Sequence, residues 1–195
     1  MKRSVPPVGI VLAGGASTRM GRDKARIELR GETLAASAAR RLAEICSEIA
    51  LADAGRGLLP GVPSLSDGPG RGPAAGLLGA ARRFPGRPLL ALACDLPRVP
   101  VALLAELARS PGEMESPVDW AVPRWERGSE PLCALWGPRA LGRLAARVER
   151  GLHALWSLTE EDLEVRWLEG ELLASFGDPG EMFLNVNTPE DLARL

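Results

Sequence analysis

Short runs of apolar residues recur along the chain, and most of them lack the alternation of a strand that has one solvent face. Continuous apolar runs of about four to eight residues are typical of strands covered on both faces. The pattern predicts such buried strands at residues 8–13, 48–52, 88–94, 118–122 and 132–136, and a more alternating strand at 163–169.

Segments with helical periodicity lie between these strands. They cover residues 33–46, 74–84, 101–110 and 139–151. Thr33 is placed to cap the first helix, and Gly151 is placed to end the last. Alternating strands and helices imply βαβ units with right-handed crossovers. We therefore predict an α/β fold with a doubly wound, mainly parallel sheet and helices on both faces.

The length and composition indicate one domain. The chain has 195 residues, of which 46% are hydrophobic, so it can bury one sizeable core. We expect a single domain over residues 1–195. The proline- and glycine-rich stretch at 55–76 reads as a long functional loop that leads into a helix, because the halves on either side are small for a doubly wound core.

Charge and cysteine content exclude several classes of protein. The formal net charge is -1, and proteins that coat nucleic acid are usually strongly basic. No apolar stretch approaches the length of about 20 residues that spans a membrane, and the start of the chain lacks the apolar core of a signal peptide. The three cysteines are widely spaced, as in reduced proteins. We expect a cytoplasmic protein with no nucleic-acid or membrane partner.

Two residue types are almost absent from the chain, which makes the remaining ones candidates for specific chemistry. The only lysines are Lys2 and Lys24, and the only asparagines are Asn185 and Asn187; glutamine is missing. Lysine and arginine differ at a tight phosphate contact, so a retained internal lysine suggests function. Compositional bias, as in thermophiles, is the alternative explanation.

The loop after the first strand has the composition of a phosphate-binding site. The strand ends in the glycines 14 and 15, whose backbone amides can approach a ligand closely. Four cations follow within a few residues: Arg19, Arg22, Lys24 and Arg26. Glycine amides and local cations are what a polyphosphate requires, although the spacing is not that of a Walker A motif. A surface turn with solvated charges is the alternative.

Asp95 and Asp67 are the carboxylates most clearly placed for ligand binding. Asp95 ends an apolar strand, at the edge where parallel sheets bind ligands, and one carboxylate beside a triphosphate can recruit Mg²⁺. Capping of the following helix is the alternative role. Asp67 could accept the paired N–H groups of a guanine edge or hold a ribose hydroxyl, or it could be an ordinary turn aspartate.

The residues near these loops restrict the type of reaction. The only histidine is His153, and the loops show no convincing serine nucleophile elbow and no obvious general base. A nucleophile that already carries negative charge, such as a phosphate monoester, needs no base. Catalysis then consists of aligning two anions and shielding their repulsion with Mg²⁺, lysine and arginine.

Three segments, "LAGGASTRMGRDK", "CDLP" and "NVNTPEDL", together resemble the nucleotidyltransferase family that includes molybdenum cofactor guanylyltransferase. Their order and spacing match over almost the whole chain. The resemblance implies a Rossmann-like domain that transfers GMP from GTP to molybdopterin, uses Mg²⁺ and releases pyrophosphate. It also implies molybdoenzymes or other cofactor-assembly proteins as partners.

The resemblance assigns roles to individual residues. Asn185 and Asn187 would bind the acceptor or the metal. Arg19 and Lys24 would hold the triphosphate and, with Asp95, carry catalysis. Asp95 would bind Mg²⁺. The nucleotide would be bound by Leu12, Ala13, Gly14, Gly15, Lys24, Asp67 and Asp95.

Related enzymes and two departures define the alternatives. Similar cytidylyltransferases that act on molybdopterin tend to have "LAAG" in place of "LAGG", so Gly14 favours GTP. Ala52 stands where the guanylyltransferases typically have a nucleotide-contacting Asn, for which Asp53 is a possible substitute. Glu130 stands where a His is common. A sugar-1-phosphate nucleotidyltransferase and a nucleotide-binding adaptor without activity are further alternatives.

Overall fold

A mixed sheet of eight strands organises the chain. The structure is a computed structural model, and it describes residues 5–14, 24–109, 118–186 and 191. The strands are β1 (Val8–Leu12), β2 (Glu28–Leu29), β3 (Glu32–Thr33), β4 (Ile49–Ala52), β5 (Ser64–Leu65), β6 (Leu89–Ala93), β7 (Trp120–Trp125), β8 (Gly128–Ser129), β9 (Cys133–Trp136) and β10 (Val165–Leu168). The helices are α1 (Leu34–Ala43), α2 (Pro73–Arg83), α3 (Val101–Ala108), α4 (Pro138–Glu149), α5 (Gly170–Ala174) and α6 (Pro179–Met182).

The strand order is β10-β7-β9-β6-β1-β4-β5, with β8 paired to β7. The strand β1 lies in the middle and runs parallel to both β4 and β6, so that Val11 pairs with Leu51 on one side and Leu92 on the other. The strand β9 is antiparallel to both β6 and β7. The short strands β2 and β3 form a separate hairpin. The predicted, mainly parallel sheet is confirmed, with β9 inserted in the opposite direction.

Helices cover both faces of this sheet. On one face, α1 contacts β1, β4 and β6 and packs against α3. On the other face, α2 contacts the same three strands and packs against α4. Every residue of β1 and β6 is buried, which explains why their sequences are continuously apolar. The predicted α/β fold with helices on both faces is therefore confirmed.

The predicted residues at the helix ends are confirmed. The Thr33 hydroxyl accepts a hydrogen bond from the Ala36 amide at 3.2 Å and caps α1. Gly151 has a φ of +80° just beyond the last turn of α4, where a left-handed residue ends a helix. Cys46, Cys94 and Cys133 are all buried.

The predicted loop at 55–76 is not wholly irregular. It contains β5, which extends the sheet by pairing in parallel with β4. A strand of two residues is too short to produce a periodic pattern, and for this reason the sequence did not indicate it. None of the helices in the described ranges has the length and apolar character needed to cross a membrane.

Candidate active site

A pocket opens at the carboxyl ends of the adjacent parallel strands β1, β4 and β6. It has a volume of about 170 Å³, and its walls come from these strand ends, the start of α2 and a 3-10 turn at residues 24–26. Ligands bind at this edge in open parallel sheets. The lining residues are Leu12, Ala13, Gly14, Lys24, Ala25, Ala52, Gly72, Pro73, Gly76, Ala93, Cys94, Asp95 and Leu132.

The end of β1 forms one wall of this pocket. The Ala13 amide donates to the Ala52 carbonyl at 3.1 Å, and the Leu12 carbonyl accepts from the Cys94 amide at 3.1 Å. These bonds hold the strand end between its two neighbours. Leu12, Ala13 and Gly14 all line the pocket, and their contact with a nucleotide stays a prediction.

Lys24 and Asp95, two charged residues that line the pocket, form an ion pair. The Nζ atom of Lys24 lies 3.7 Å from Oδ2 of Asp95, and the two side chains are only 26% and 21% exposed. Burial raises the pKa of the Asp95 carboxyl, and the positive charge of Lys24 opposes that rise. The prediction that these two loops share one edge of the sheet is confirmed. Gly15 and Arg19 lie outside the described residues.

The loop that carries Asp95 is held from below by a buried arginine. Nη1 of Arg41, on α1, donates to the carbonyls of Leu96 at 3.1 Å and Val99 at 2.8 Å. Arg41 is 6% exposed, and burial lowers its pKa. Asp95 does not cap α3, because Pro100 occupies the N-cap position. The carboxylate of Asp95 is therefore available to the pocket.

The donor set at Asp95 fits a divalent cation that brings its own oxygen ligands. The described residues contain no cluster of three or more acidic, histidine or cysteine side chains. Among the described residues Asp95 would supply one carboxylate to a metal ion here, and phosphate oxygens and water would add to its shell. Mg²⁺ is typically bound in this way beside nucleotides. A nearby cation also stabilises an ionised carboxylate that burial disfavours.

The last described segment is attached to the same loop. The Val186 amide donates to the Asp95 carbonyl at 2.9 Å, and the Val186 side chain is fully buried. Asn185, immediately before it, is exposed. One of the two predicted acceptor-binding residues is thus brought beside the loop of Asp95. The other, Asn187, lies outside the described residues.

Glu130 lies near this region and is held by a tryptophan. Its Oε1 accepts from Nε1 of Trp125 at 3.0 Å, and the Trp125 ring lies 6.0 Å from that of Phe183. Burial raises the pKa of Glu130, the Trp125 hydrogen bond opposes the rise, and the charge of Asp95 adds to it. The departure at Glu130 therefore places an acidic group in electrostatic reach of the candidate metal ligand.

Asp67 and Asp53 have different environments. Asp67 is exposed on the loop after β5, and it is not among the residues that line the pocket. Its nucleotide contact stays a prediction. Asp53 is fully buried, and its carboxylate accepts from the Leu58 amide at 3.0 Å and the Ser64 hydroxyl at 2.5 Å. Asp53 is not among the residues that line the pocket, and its role as a substitute for the missing Asn stays a prediction.

Sequence reasoning missed the start of α2 as part of the pocket. Gly72 has a φ of +58° and turns the chain into the helix. Gly76 lets the helix approach the sheet: a Cβ there would lie 3.1 Å from the Cβ of Ala52. The density of glycines before a helix was the available signal, since such starts often bind anions.

Comparison with known proteins gives a consistent result. The family described as "MobA-like NTP transferase domain" matches residues 9–165. A protein of Opitutus terrae named "Probable molybdenum cofactor guanylyltransferase" is 39% identical over 193 residues, which cover 95% of this chain and 93% of the relative. A protein of Rhizobium johnstonii named "Molybdenum cofactor guanylyltransferase" is 34% identical over 192 residues, which cover 94% of this chain and 88% of the relative.

A solved structure agrees with these relatives. The crystal structure of "Molybdopterin-guanine dinucleotide biosynthesis protein A" from Archaeoglobus fulgidus superimposes with a TM-score of 0.77 at 26% identity. The match covers 96% of this chain and 95% of that protein. The similarity therefore extends over the sheet, both helical layers and the pocket.

Proposed function

Because the chain belongs to the MobA-like NTP transferase family, we propose that it transfers GMP from GTP to molybdopterin and releases pyrophosphate. The chain is a nucleotidyltransferase, and the relatives named above carry the name of a molybdenum cofactor guanylyltransferase. The product would be the guanine dinucleotide form of the cofactor. Molybdoenzymes or other cofactor-assembly proteins would receive it.

The observation that carries this proposal is the Lys24–Asp95 ion pair, 3.7 Å apart beside the end of β1. A partly buried ammonium and a partly buried carboxylate at one sheet edge suit a ligand that combines phosphate with a metal ion. Among the described lining residues there is no histidine to act as a general base. The site is therefore suited to a nucleophile that is already ionised.

The proposed reaction is an in-line displacement at phosphorus. An oxygen of the acceptor's terminal phosphate attacks the α-phosphorus of GTP and forms the new P–O bond. The bond from the α-phosphorus to the oxygen that bridges to the β-phosphate breaks, and pyrophosphate leaves with that electron pair. A phosphate monoester is ionised at neutral pH, so no proton has to be removed. The enzyme's task is to align two anions and offset their repulsion.

The chain's own residues would perform that task. Asp95 would hold the Mg²⁺ ion, which supplies positive charge to the phosphate oxygens when it is bound. The ammonium of Lys24 would stay close to the same oxygens and stabilise the charge that develops on pyrophosphate. Arg19 would add to this charge. The loop of Asp95 is held by the hydrogen bonds of Arg41, and the ammonium of Lys24 lies 3.7 Å from the Asp95 carboxylate without a ligand.

The nucleotide and the acceptor would occupy opposite sides of Asp95. Leu12, Ala13, Gly14 and Gly15 would contact the guanine nucleotide, together with Asp67. Asn185 and Asn187 would contact the acceptor, and Glu130 would be near them. The hydrogen bond between Val186 and Asp95 supports this arrangement, since it ties the asparagine segment to the metal-binding loop.

Pyrophosphate release tests the proposal. The purified protein is incubated with Mg²⁺ and molybdopterin, and with either GTP or CTP. Release with GTP alone supports guanylyl transfer. Release with CTP would assign the chain to cytidylyl transfer, and release with a sugar 1-phosphate as the acceptor would assign it to that class. Nucleotide binding without release under any acceptor would contradict enzymatic function.

A further inference from the structure

Arg56 bridges the ends of the two strands that form the nucleotide wall of the pocket. Its Nε donates to the Asp53 carbonyl at 2.8 Å, just after β4, and its Nη2 donates to the Ala13 carbonyl, just after β1. The guanidinium is thus held between two acceptors on neighbouring strands. Its planar array of donors is suited to such a bridge.

The turn that carries Arg56 is defined by its backbone angles and by hydrogen bonds. Ala54 and Gly55 both have positive φ, at 57° and 76°, which reverses the chain tightly. The Gly55 amide donates to the Leu65 carbonyl at 2.9 Å, and the buried Asp53 carboxylate holds the Ser64 hydroxyl at 2.5 Å. The position of the guanidinium is therefore set by the backbone of the turn.

The bond from Arg56 determines which group of the Ala13–Gly14 peptide is left for a ligand. In a trans peptide the C=O and the N–H point in opposite directions. The Ala13 carbonyl is engaged by Arg56, so the Gly14 N–H points away from Arg56, and it makes no hydrogen bond to another described residue. Gly14 lines the pocket. This wall consequently offers a hydrogen-bond donor and withholds an acceptor.

A donor at this wall discriminates between nucleobases. The O6 of guanine is an acceptor, whereas the corresponding exocyclic groups of adenine (N6) and cytosine (N4) are donors. The neighbouring side chain, Ala52, is a methyl group that can make no hydrogen bond to a base. At this point of the wall the donor is the Gly14 N–H, in the backbone that Arg56 holds.

We propose that Arg56 is a positioning residue that sets the preference for guanine, by engaging the Ala13 carbonyl and leaving the Gly14 N–H for the base. The inference rests on the proposed function, in which this wall contacts the nucleobase. It also explains how the chain dispenses with the Asn that Ala52 replaces.

Nucleotide binding to variants tests this inference. Dissociation constants for GTP, ATP and CTP are measured with Mg²⁺ for the wild type, Arg56→Met and Arg56→Lys. Arg82→Met is the control, since Arg82 is exposed near the other end of α2. Loss of a charge-assisted hydrogen bond predicts a GTP dissociation constant about tenfold higher in R56M. The dissociation constants of ATP and CTP should change by less than about twofold, because the Gly14 N–H that Arg56 positions donates to the carbonyl of guanine.

Kinetic and folding measurements separate positioning from general damage. At saturating GTP, kcat of R56M should stay within about twofold of wild type while KM rises. R56K should regain part of the affinity for GTP, because an ammonium can still donate to the Ala13 carbonyl. If circular dichroism shows that R56M is unfolded, the affinities of R56K for the three nucleotides test the role of Arg56 instead. Equal weakening of all three nucleotides, or no change for GTP, would overturn the inference.

Failure of the proposed function gives a different result. If the wild type binds GTP in preference to ATP and CTP but forms no product, guanylyl transfer is wrong, and the binding comparison still decides the role of Arg56. If the wild type shows no preference for GTP, the inference about Arg56 is overturned.

Discussion

The ammonium nitrogen of Lys24 lies 3.7 Å from a carboxylate oxygen of Asp95, although the two residues follow different strands far apart in the sequence. The parallel arrangement of β1 and β6 brings their carboxyl ends to one edge, and both side chains point into the same pocket. Because the groups are largely buried, the pair holds charge in a place where water screens it weakly.

Replacement of Lys24 should reduce the rate of the chemical step. We expect Lys24→Met to lower kcat on the order of 100-fold, because a preorganised positive charge is lost from the transition state. Lys24→Arg should recover only part of the rate, since a guanidinium places its charge differently. Steady-state kinetics with GTP measures both, and Arg143→Met on the exposed side of α4 serves as the control. A K24M enzyme with full kcat would contradict the role of Lys24.

Replacement of Asp95 should stabilise the fold at neutral pH. Burial raises the pKa of the folded carboxyl above its unfolded value, so the folded state binds the proton more tightly. Above the folded pKa the ionised group costs stability, and this cost disappears as the pH falls toward about 4. We therefore expect Asp95→Asn to raise the thermal midpoint at pH 7 by roughly 2–4 °C, for a gain on the order of 1 kcal/mol.

The comparison at two pH values makes this test specific. The advantage of D95N should shrink as the pH falls below the ordinary pKa of aspartate, about 3.9, because the wild-type carboxyl then becomes protonated in both states. A less stable D95N at pH 7 would mean that attraction to Lys24 exceeds the cost of burial. Activity should be lost in D95N at every pH, because the proposed metal ligand is gone.

Arg41 should support both the fold and the metal site. Arg41→Met leaves the Leu96 and Val99 carbonyls without their buried donor, and we expect the free energy of unfolding to fall by about 1–3 kcal/mol. The Mg²⁺ concentration for half-maximal activity should rise, because the Asp95 loop loses its support. Urea denaturation and a Mg²⁺ titration measure the two effects.

Arg40 provides the matched control for that variant. It is the next residue on α1, and it is exposed and paired with Glu32 at 3.2 Å. An exposed ion pair contributes little, so Arg40→Met should change the free energy of unfolding by less than about 1 kcal/mol. Equal effects of R40M and R41M would show that the carbonyl contacts of Arg41 are unimportant.

Two helical glycines should respond in opposite directions to alanine. A Cβ on Gly79 would lie 2.2 Å from the Ser66 carbonyl oxygen, so Gly79→Ala must displace the backbone that leads into the pocket. A Cβ on Gly142 in α4 meets nothing within 4 Å, and Gly142→Ala should gain about 0.5–1 kcal/mol of helix propensity. We expect G79A to lose about 2 kcal/mol or more in urea denaturation. Similar values for both variants would contradict the close packing at Gly79.

The sequence predicted the main sheet well because its central strands are covered on both faces. Continuous apolar runs at 8–13 and 88–94 correspond to β1 and β6, with ends that differ by one residue or less. The strands β5 and β8 have two residues each, too few for any period. The direction of β9 depends on how the chain returns from β7, a tertiary property that local pattern does not contain.

The candidate site was predictable in part. Lys24 and Asp95 were found because glycines, cations and a strand-end carboxylate have a direct chemical meaning. Arg41 was missed because an arginine on a helix is normally solvated, yet it lies in register with Leu34 and Ala38 on the buried face of α1. That register was a usable signal. The bridge from Arg56 to Ala13 could not be inferred, since it depends on the path of a loop.

The most direct test is the mass of the product formed from GTP, molybdopterin and Mg²⁺ by the wild type and by Asp95→Ala in parallel. We expect a guanine dinucleotide and equimolar pyrophosphate from the wild type, and neither above background from D95A. No dinucleotide from the folded wild type would contradict the proposed reaction. Equal amounts from both proteins would contradict the placement of the active site at Asp95.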